Sequence, residues 1–499
     1  MSSTETPSPN GAAKENSTAK EEAKKELTDQ LIETTHAVSI GGQQIDYTAT
    51  TGVLVLKDEE DKAKASIFFT AYTRNGVADL GQRPITFAFN GGPGSSSVWL
   101  HMGVLGPKRV LMDDEGNAPP PPYRLVDNEY SILDKTDLVF IDPVSTGYSR
   151  PAPGEEAKQF HGLEKDIESV GAFIRLYTTR YKRWASPKFL IGESYGTTRS
   201  AGLAGHLQDR HGMYLNGIML ISSILNFQTA RFNVGNDLPY ILFLPTYTAT
   251  AWYHGLLRKK LQKQSLRAVL DEVEEFAANA YTLALMKGAK LGQDERSQIV
   301  EKLAQYTGLS ADYIERTNLR IAIHRFVKEI LRPQQRTVGR FDTRITGVDR
   351  DAVGEVHEYD PSFAVIHGVY TAMFNNYVRT ELGFESDLVY EILTSLYQTW
   401  DYGKNQNQYV NVAETLRGAM TKNRYLKVFV GNGYYDLATP YFATEYTFNH
   451  LGLDAELQAN ISMGHYEAGH MMYVHKPSII QLKQDLDEFI EAALPQTQI

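Results

Sequence analysis

Gly192-Glu193-Ser194-Tyr195-Gly196 forms the pattern G-x-S-x-G in the middle of the chain. It follows the apolar run Lys188-Phe189-Leu190-Ile191 and precedes residues 197–207, which can form a helix. A strand that turns sharply at a serine and enters a helix leaves the hydroxyl standing at the sheet edge. Flanking glycines let the backbone pass close by. That is the setting of an activated nucleophile, although a tight turn with a solvated serine would carry the same five letters.

A serine needs a base, and the base needs an orienting carboxylate. Downstream of such a nucleophile the chain order is an acid, then a histidine. Asp436 follows the strand-like 427–430 and the turn Gly431-Asn432-Gly433-Tyr434-Tyr435. His470 lies in Ala468-Gly469-His470-Met471-Met472, after the strand-like 457–461. Loops past strands carry both, so Ser194, Asp436 and His470 could converge. His465, His475 and His450 compete for the role of base, and spacing alone does not choose between them. A helical zinc site needs histidines at i and i+4; here the spacing is five and Gly469 interrupts. No metal or other cofactor is expected.

A glycine-rich loop, Asn90-Gly91-Gly92-Pro93-Gly94-Ser95-Ser96-Ser97, follows the apolar run Ile85–Phe89. A phosphate-binding loop would end in Gly-Lys-Ser/Thr, and no lysine occurs before Lys108. The alternatives are a plain Gly-Pro turn or half of an oxyanion hole. In the second case the donors would be the N–H groups of Gly92 and Tyr195. Donors aimed at a developing oxyanion contribute about 3–4 kcal/mol each.

These loops need a scaffold. Short apolar runs at 85–89, 138–141, 189–191, 218–221 and 426–430 suit strands buried on both faces. Leu163, Ile167, Val170, Ile174 and Tyr177 recur at helical spacing between them, as do Ile479, Leu482, Leu486, Phe489 and Ile490 at the end of the chain. Strands alternating with helices predict an α/β fold, a mostly parallel sheet covered on both faces. Two earlier β-rich runs, 45–56 and 65–72, flank a charged turn and predict antiparallel strands. Residues 259–331 are almost continuously helix-favouring, with an N-cap expected at Ser310. The predicted organisation is a polar, disordered tail over 1–35, a first core part over 36–225, a helical insertion over 226–375 and a second core part over 376–499. An insertion leaving the carboxyl edge of the sheet is placed to roof a pocket there. Asp349, Asp351 and Asp360 faintly echo a calcium loop, but Val353 stands where an oxygen ligand belongs; a polar loop is the expected reading.

Composition bounds the rest. The 499 residues include no cysteine, which excludes disulfides, thiolate nucleophiles and Cys-ligated zinc. A net charge of −10 argues against non-specific binding to nucleic acid or anionic membrane. No apolar run reaches the ~18 residues of a membrane span, and the tail lacks a basic start followed by about 7–15 apolar residues. The expectation is a soluble, cytoplasmic protein, unless an export signal has been trimmed.

Taken together, the motifs resemble the serine carboxypeptidase family of the α/β-hydrolases. Asn90–Ser97 resembles its N-G-G-P-G-C-S-S motif and Gly192–Gly196 its G-E-S-Y-G motif. Phe140-Ile141-Asp142-Pro143 with Thr146-Gly147-Tyr148-Ser149 resembles its F-L-D-x-P…G-F/Y-S segment. The blocks Gly433–Asp436 and Gly469-His470-Met471 match its Asp and His blocks in order. The resemblance selects His470 as base and Asp436 as its partner. It implies an α/β-hydrolase fold with a helical lid and removal of single amino acids from peptides with a free C-terminus. It also implies that Asn90, the Gly91 N–H and a protonated Glu193 bind the substrate carboxylate. A carboxyl group can donate to a carboxylate only while neutral, so its pKa must be raised. An acyltransferase or esterase of the same fold, or a non-catalytic binding module, are the alternatives, and a homo-oligomer stays open. The chain departs from the family in several places. Val104 stands where the family has a Glu that partners the carboxylate-binding Glu, Ser95 replaces the loop cysteine, Ala88 replaces a Trp, and the disulfides and secretory signal are missing.

Overall fold

The computed structural model describes residues 27–495. Nine strands form one mixed sheet: β1 (Gln30–Ile40), β2 (Gln43–Lys57), β3 (Ala63–Arg74), β4 (Ile85–Phe89), β5 (Asp137–Ile141), β6 (Lys188–Ser194), β7 (Gly217–Ser223), β8 (Lys427–Gly433) and β9 (Ile461–Tyr466). Their spatial order is β1-β2-β3-β5-β4-β6-β7-β8-β9, and a two-residue strand, Arg150–Pro151, pairs with β3. From β5 to β9 all neighbours are parallel; β1, β2 and β3 form an antiparallel wing that joins through β3 and β5.

The apolar runs form strands because both faces of the sheet are covered. Phe87, Phe89, Val139, Ile141, Ile218 and Leu220 enter one core cluster. Their chain neighbours Ala88, Leu138, Phe140, Met219 and Ile221 enter the other. Period-two alternation with apolar residues on both sides gives a continuous apolar run. The first cluster packs against α1 (Leu163–Arg180) and α2 (Tyr195–His211). The second packs against the terminal helix, Lys476–Ala493, through Ile479, Leu482, Leu486, Phe489 and Ile490. In α1 the predicted stripe is buried at Leu163, Val170, Ile174 and Tyr177, with Ile167 half-buried against the same core.

Between β7 and β8 lies a largely helical segment whose first part, up to residue 338, has a core of its own and whose last helices pack on the two sheet cores. It contains α3 (Leu238–Tyr253), α4 (Leu266–Phe276), α5 (Gln293–Thr307), α6 (Pro361–Thr380) and α7 (Ala413–Lys422). Phe243, Leu244, Val273, Leu303 and Phe326 meet in its cluster. Ser310 caps a short helix by accepting the Tyr313 N–H at 3.2 Å.

Three details differ from the sequence reading, and a fourth, the acidic loop, agrees with it. Strand β1 begins at Gln30, inside the stretch 1–35 expected as tail; its side chains alternate between exposed and half-buried along most of its length, which leaves little apolar signal at an edge. The remainder of that tail up to residue 26 lies outside the described residues. Of the run 457–461, Leu457 and Gln458 end a helical turn, Ala455–Gln458, and only Ile461 belongs to the strand that precedes His470, β9. Position 375, set as the end of the insertion, falls inside α6, whose Ile366, Val369, Phe374 and Tyr377 pack into the main core. The acidic loop at 349–360 is committed within the protein. Lys328 bonds the Asp349 carboxylate and the Asp351 carbonyl, and Asp360 caps α6 through the Ser362 N–H.

Candidate active site

Strands β4 and β6 are neighbours whose outgoing connections run to opposite sides, because β5 lies beyond β4 and β7 beyond β6. Ligands in open α/β sheets bind at such a switch point, outside the carboxyl ends of the strands. The glycine loop leaves β4 there and the turn at Ser194 leaves β6.

Ser194 has φ +60° and ψ −129°, a sparsely populated conformation for a non-glycine residue that costs about 1–3 kcal/mol. The tightness of the turn explains the glycines around it. A Cβ at Gly192 would lie 2.2 Å from the Gly196 carbonyl oxygen, and one at Gly91 would lie 2.4 Å from the Tyr195 nitrogen. The glycine loop is thus pressed against the start of α2. Tyr195 opens that helix, so its N–H has no intrahelical acceptor.

Asp436 is fully buried and accepts four hydrogen bonds. Its Oδ1 takes the N–H groups of Ala438 (2.7 Å) and Thr439 (3.1 Å), and its Oδ2 takes the Thr439 hydroxyl (2.7 Å) and His470 Nδ1 (2.7 Å). A carboxylate only accepts, so Nδ1 carries the proton and Nε2 is left as the basic nitrogen. Burial alone would lower the imidazole pKa, but the charge and hydrogen bond of Asp436, with Glu193 adding, raise it above its ordinary value. Burial likewise pushes the Asp436 carboxyl up, and His470 and Thr439 outweigh it, so this carboxyl sits below its ordinary value.

Strand register brings these groups toward Ser194. Ser223 of β7 pairs with Ser194, and the adjacent Ser222 donates its hydroxyl to the His470 carbonyl at 2.6 Å. Tyr473, three residues past His470, donates to Glu193 Oε2 at 2.6 Å, one residue before Ser194. Among the described residues, Ser194 Oγ forms no hydrogen bond with His470; such contacts often tighten only when substrate is bound.

The rival histidines have other duties. His465 pairs with Glu445 at 2.8 Å, His475 bonds the Ser478 hydroxyl at 2.8 Å, and His450 faces the Tyr446 carbonyl on the surface at 2.6 Å.

Glu193 is buried beside the nucleophile. Asn90 Nδ2 donates to its Oε1 at 2.9 Å, and Asn90 Oδ1 accepts the Leu100 N–H at 3.0 Å. Burial pushes the Glu193 carboxyl up to about 7, against the opposing pull of His470 and the Tyr473 hydroxyl. The sequence reading left this carboxyl without a partner because Val104 replaces an acid; the partner is Tyr473.

Other supports escaped the sequence reading. Arg199 of α2 is fully buried between the Phe89 and Tyr195 rings, pairs with Asp166 of α1 at 2.7 Å and donates to the Asn90 carbonyl. Asp142, at the end of β5 and already part of a segment shared with the family, had no role assigned from the sequence; it accepts the Ser97 N–H at 2.8 Å and so anchors the glycine loop. From the inserted segment, the Phe341 carbonyl accepts the His470 N–H at 2.6 Å, and the Arg340 carbonyl accepts the Leu437 N–H at 3.0 Å. One loop of the insertion therefore holds the backbone on both sides of the histidine–aspartate contact. Spaced charges and backbone carbonyls leave no local pattern, so only the fold reveals them.

A family model described as serine carboxypeptidase matches residues 42–480. The chain belongs to the serine carboxypeptidase family. Among its relatives is the pheromone-processing carboxypeptidase KEX1 of Saccharomyces cerevisiae, 32% identical over 145 residues. That match covers 28% of this chain and 19% of the relative. Serine carboxypeptidase-like 33 of Arabidopsis thaliana is 30% identical over 159 residues, 31% of this chain and 30% of that protein. The matched stretches thus span less than a third of either relative. The crystal structure of the prohormone-processing carboxypeptidase KEX1(delta)p from Saccharomyces cerevisiae aligns over 89% of this chain and 91% of its own, with a TM-score of 0.57 and 18% identity. That likeness shows the α/β-hydrolase fold of the family. Among the described residues no helix is long and apolar enough to cross a membrane.

Proposed function

We propose that this family member is a serine-type carboxypeptidase that releases single amino acids from peptide C-termini through an acyl-enzyme. Ser194 Oγ attacks the carbonyl of the last peptide bond while His470 Nε2 takes its proton. Asp436 holds the imidazole in the required tautomer and stabilises the imidazolium. The N–H groups of Gly92 and Tyr195 bind the tetrahedral oxyanion. His470 then protonates the leaving nitrogen, the amino acid departs, and water repeats the sequence to free the shortened peptide. Asn90, the Gly91 N–H and neutral Glu193 hold the substrate's carboxylate, which selects the last bond over internal ones.

One observation carries the reading: a buried carboxyl with a raised pKa, bonded to Asn90, one residue from a strained serine. An esterase has no use for a neutral acid aimed at a carboxylate. A dipeptide with a free C-terminal acid should therefore be cleaved far faster than its amide at acidic to neutral pH, and a fluorophosphonate probe should label Ser194. Equal rates on acid and amide would favour an esterase or acyltransferase, and no labelling of the native protein would favour a binding module. A cytoplasmic location is part of this proposal, and cell fractionation tests it.

A further inference from the structure

We propose that Tyr473 is a positioning residue that takes the place of the missing acid at Val104, fixing Glu193 in place and setting the pH at which Glu193 gives up its proton. This rests on the reading of Glu193 as the group that binds the substrate carboxylate.

The hydroxyl of Tyr473 donates to Glu193 Oε2 at 2.6 Å, and Asn90 donates to Oε1. Both oxygens are thus held by donors. The ring can come so close because position 103 is glycine: a Cβ there would lie 2.3 Å from Tyr473 Cε2. A small residue at 103 and a tyrosine at 473 form one device built from distant parts of the chain.

The chemistry differs from that of paired acids. A second carboxyl beside Glu193 could share a proton with it, and like charges would keep one of them neutral. A phenol donates steadily, and a donor favours the ionised carboxylate. Burial still dominates and keeps the group up at about 7. The hydrogen bond from Asn90 also favours the ionised form of Glu193. His470 pulls its pKa down and Asp436 pushes it up. Tyr370 of α6 responds to Glu193 with a pKa raised by burial and by that charge, so it stays a neutral phenol. Arg340 acts on His470 rather than on Glu193. Among these, the hydroxyl of Tyr473 is a steady donor that can be deleted without changing any charge.

Tyr473→Phe keeps the ring and removes the donor. The carboxylate loses a stabilising bond, so Glu193 should hold its proton to higher pH. The alkaline rise in KM for a free-acid dipeptide should then move up by about one pH unit, carried by KM with kcat held. Tyr370→Phe, which removes no bond to Glu193, should leave the profile where it is. Gly103→Ala, which pushes the ring away, should move it in the same direction as Tyr473→Phe.

A second measurement needs no turnover. In a Ser194→Ala background, the protonated Glu193 C=O stretch, identified by its absence in Glu193→Gln, can be titrated by difference infrared spectroscopy. Its midpoint should rise when Tyr473→Phe is added. An unmoved or lowered midpoint overturns the role of Tyr473, whatever the kinetics. A midpoint that rises while KM ignores it leaves Tyr473 in place and sinks the carboxylate-binding reading of Glu193 instead.

Discussion

Ser194 ends β6, while Asp436 and His470 lie on loops that follow β8 and β9, and all three fall within the stretch matched to the serine carboxypeptidase family. A few ångströms away, Asn90, Glu193 and Tyr473 form a second cluster in which one expected acid has become Val104 and its place is taken from another loop. The contrast follows from what each cluster does in the proposed reaction. Proton transfer and attack depend on one geometry between reacting atoms, and a change of residue type removes the step. Holding a carboxylate asks only for donors at the right positions, and an amide, a neutral acid or a backbone N–H can supply them. The chemical end is therefore narrow and the recognition end can be rebuilt.

The sharpest way to break this comparison is at the narrow end. Ser194→Ala or His470→Ala should lower kcat on a free-acid dipeptide by roughly 10⁴–10⁶-fold, and Asp436→Asn by about 10⁴-fold, with the affinity for a product amino acid unchanged. Inhibition constants measured beside single-turnover rates separate the two. A loss of binding equal to the loss of rate would mean the clusters are not separable.

Legibility in the sequence follows the same division. Ser194 stands in a motif that local spacing announces, whereas Asp436 and His470 needed the family resemblance of their blocks to be told from His450, His465 and His475; the parallel sheet announces itself through apolar runs such as Ile85–Phe89. Tyr473 carries no such sign, because its meaning depends on Gly103 and Glu193, which are distant in sequence. Arg199 and Asp166 read as ordinary charges on two helices, since burial of an ion pair shows only when the helices pack. Strand β1 was missed because an edge strand with few buried side chains lacks an apolar face. The run at 457–461 was read as a strand although it begins in a helical turn, since periodicity cannot assign a segment so short.

Arg199 supports both clusters, which makes it the next test. Its guanidinium pairs with Asp166, donates to the Asn90 carbonyl and lies against the Tyr195 ring. Arg199→Met leaves Asp166 buried without a counter-charge, which should cost about 3–5 kcal/mol of stability, read by urea unfolding. The Asp166→Leu/Arg199→Met double variant should recover much of that loss, because removing both charges avoids the unpaired one. A double variant as unstable as the single one would place the loss in packing rather than charge.

The smallest effect belongs to the tolerant end, and it carries its own sign. Glu193 sits at about 7 because burial disfavours its charge. Below that pH it is neutral and can donate to a carboxylate; above it the two negative charges repel, so KM for free acids should rise. Glu193→Gln replaces the acid with an amide that donates at every pH. It should raise KM about tenfold in acid, where one well-placed hydrogen bond to a charged group is weakened. It should also abolish the alkaline rise, so that variant and wild type converge and then cross as pH increases. The acid side of the profile, set by His470, should keep its shape with only a small shift, since Glu193 also helps raise that imidazole. The crossing separates Glu193 from a merely structural residue, whose loss would raise KM at every pH alike. Parallel profiles for the two proteins would therefore remove Glu193 from the recognition cluster.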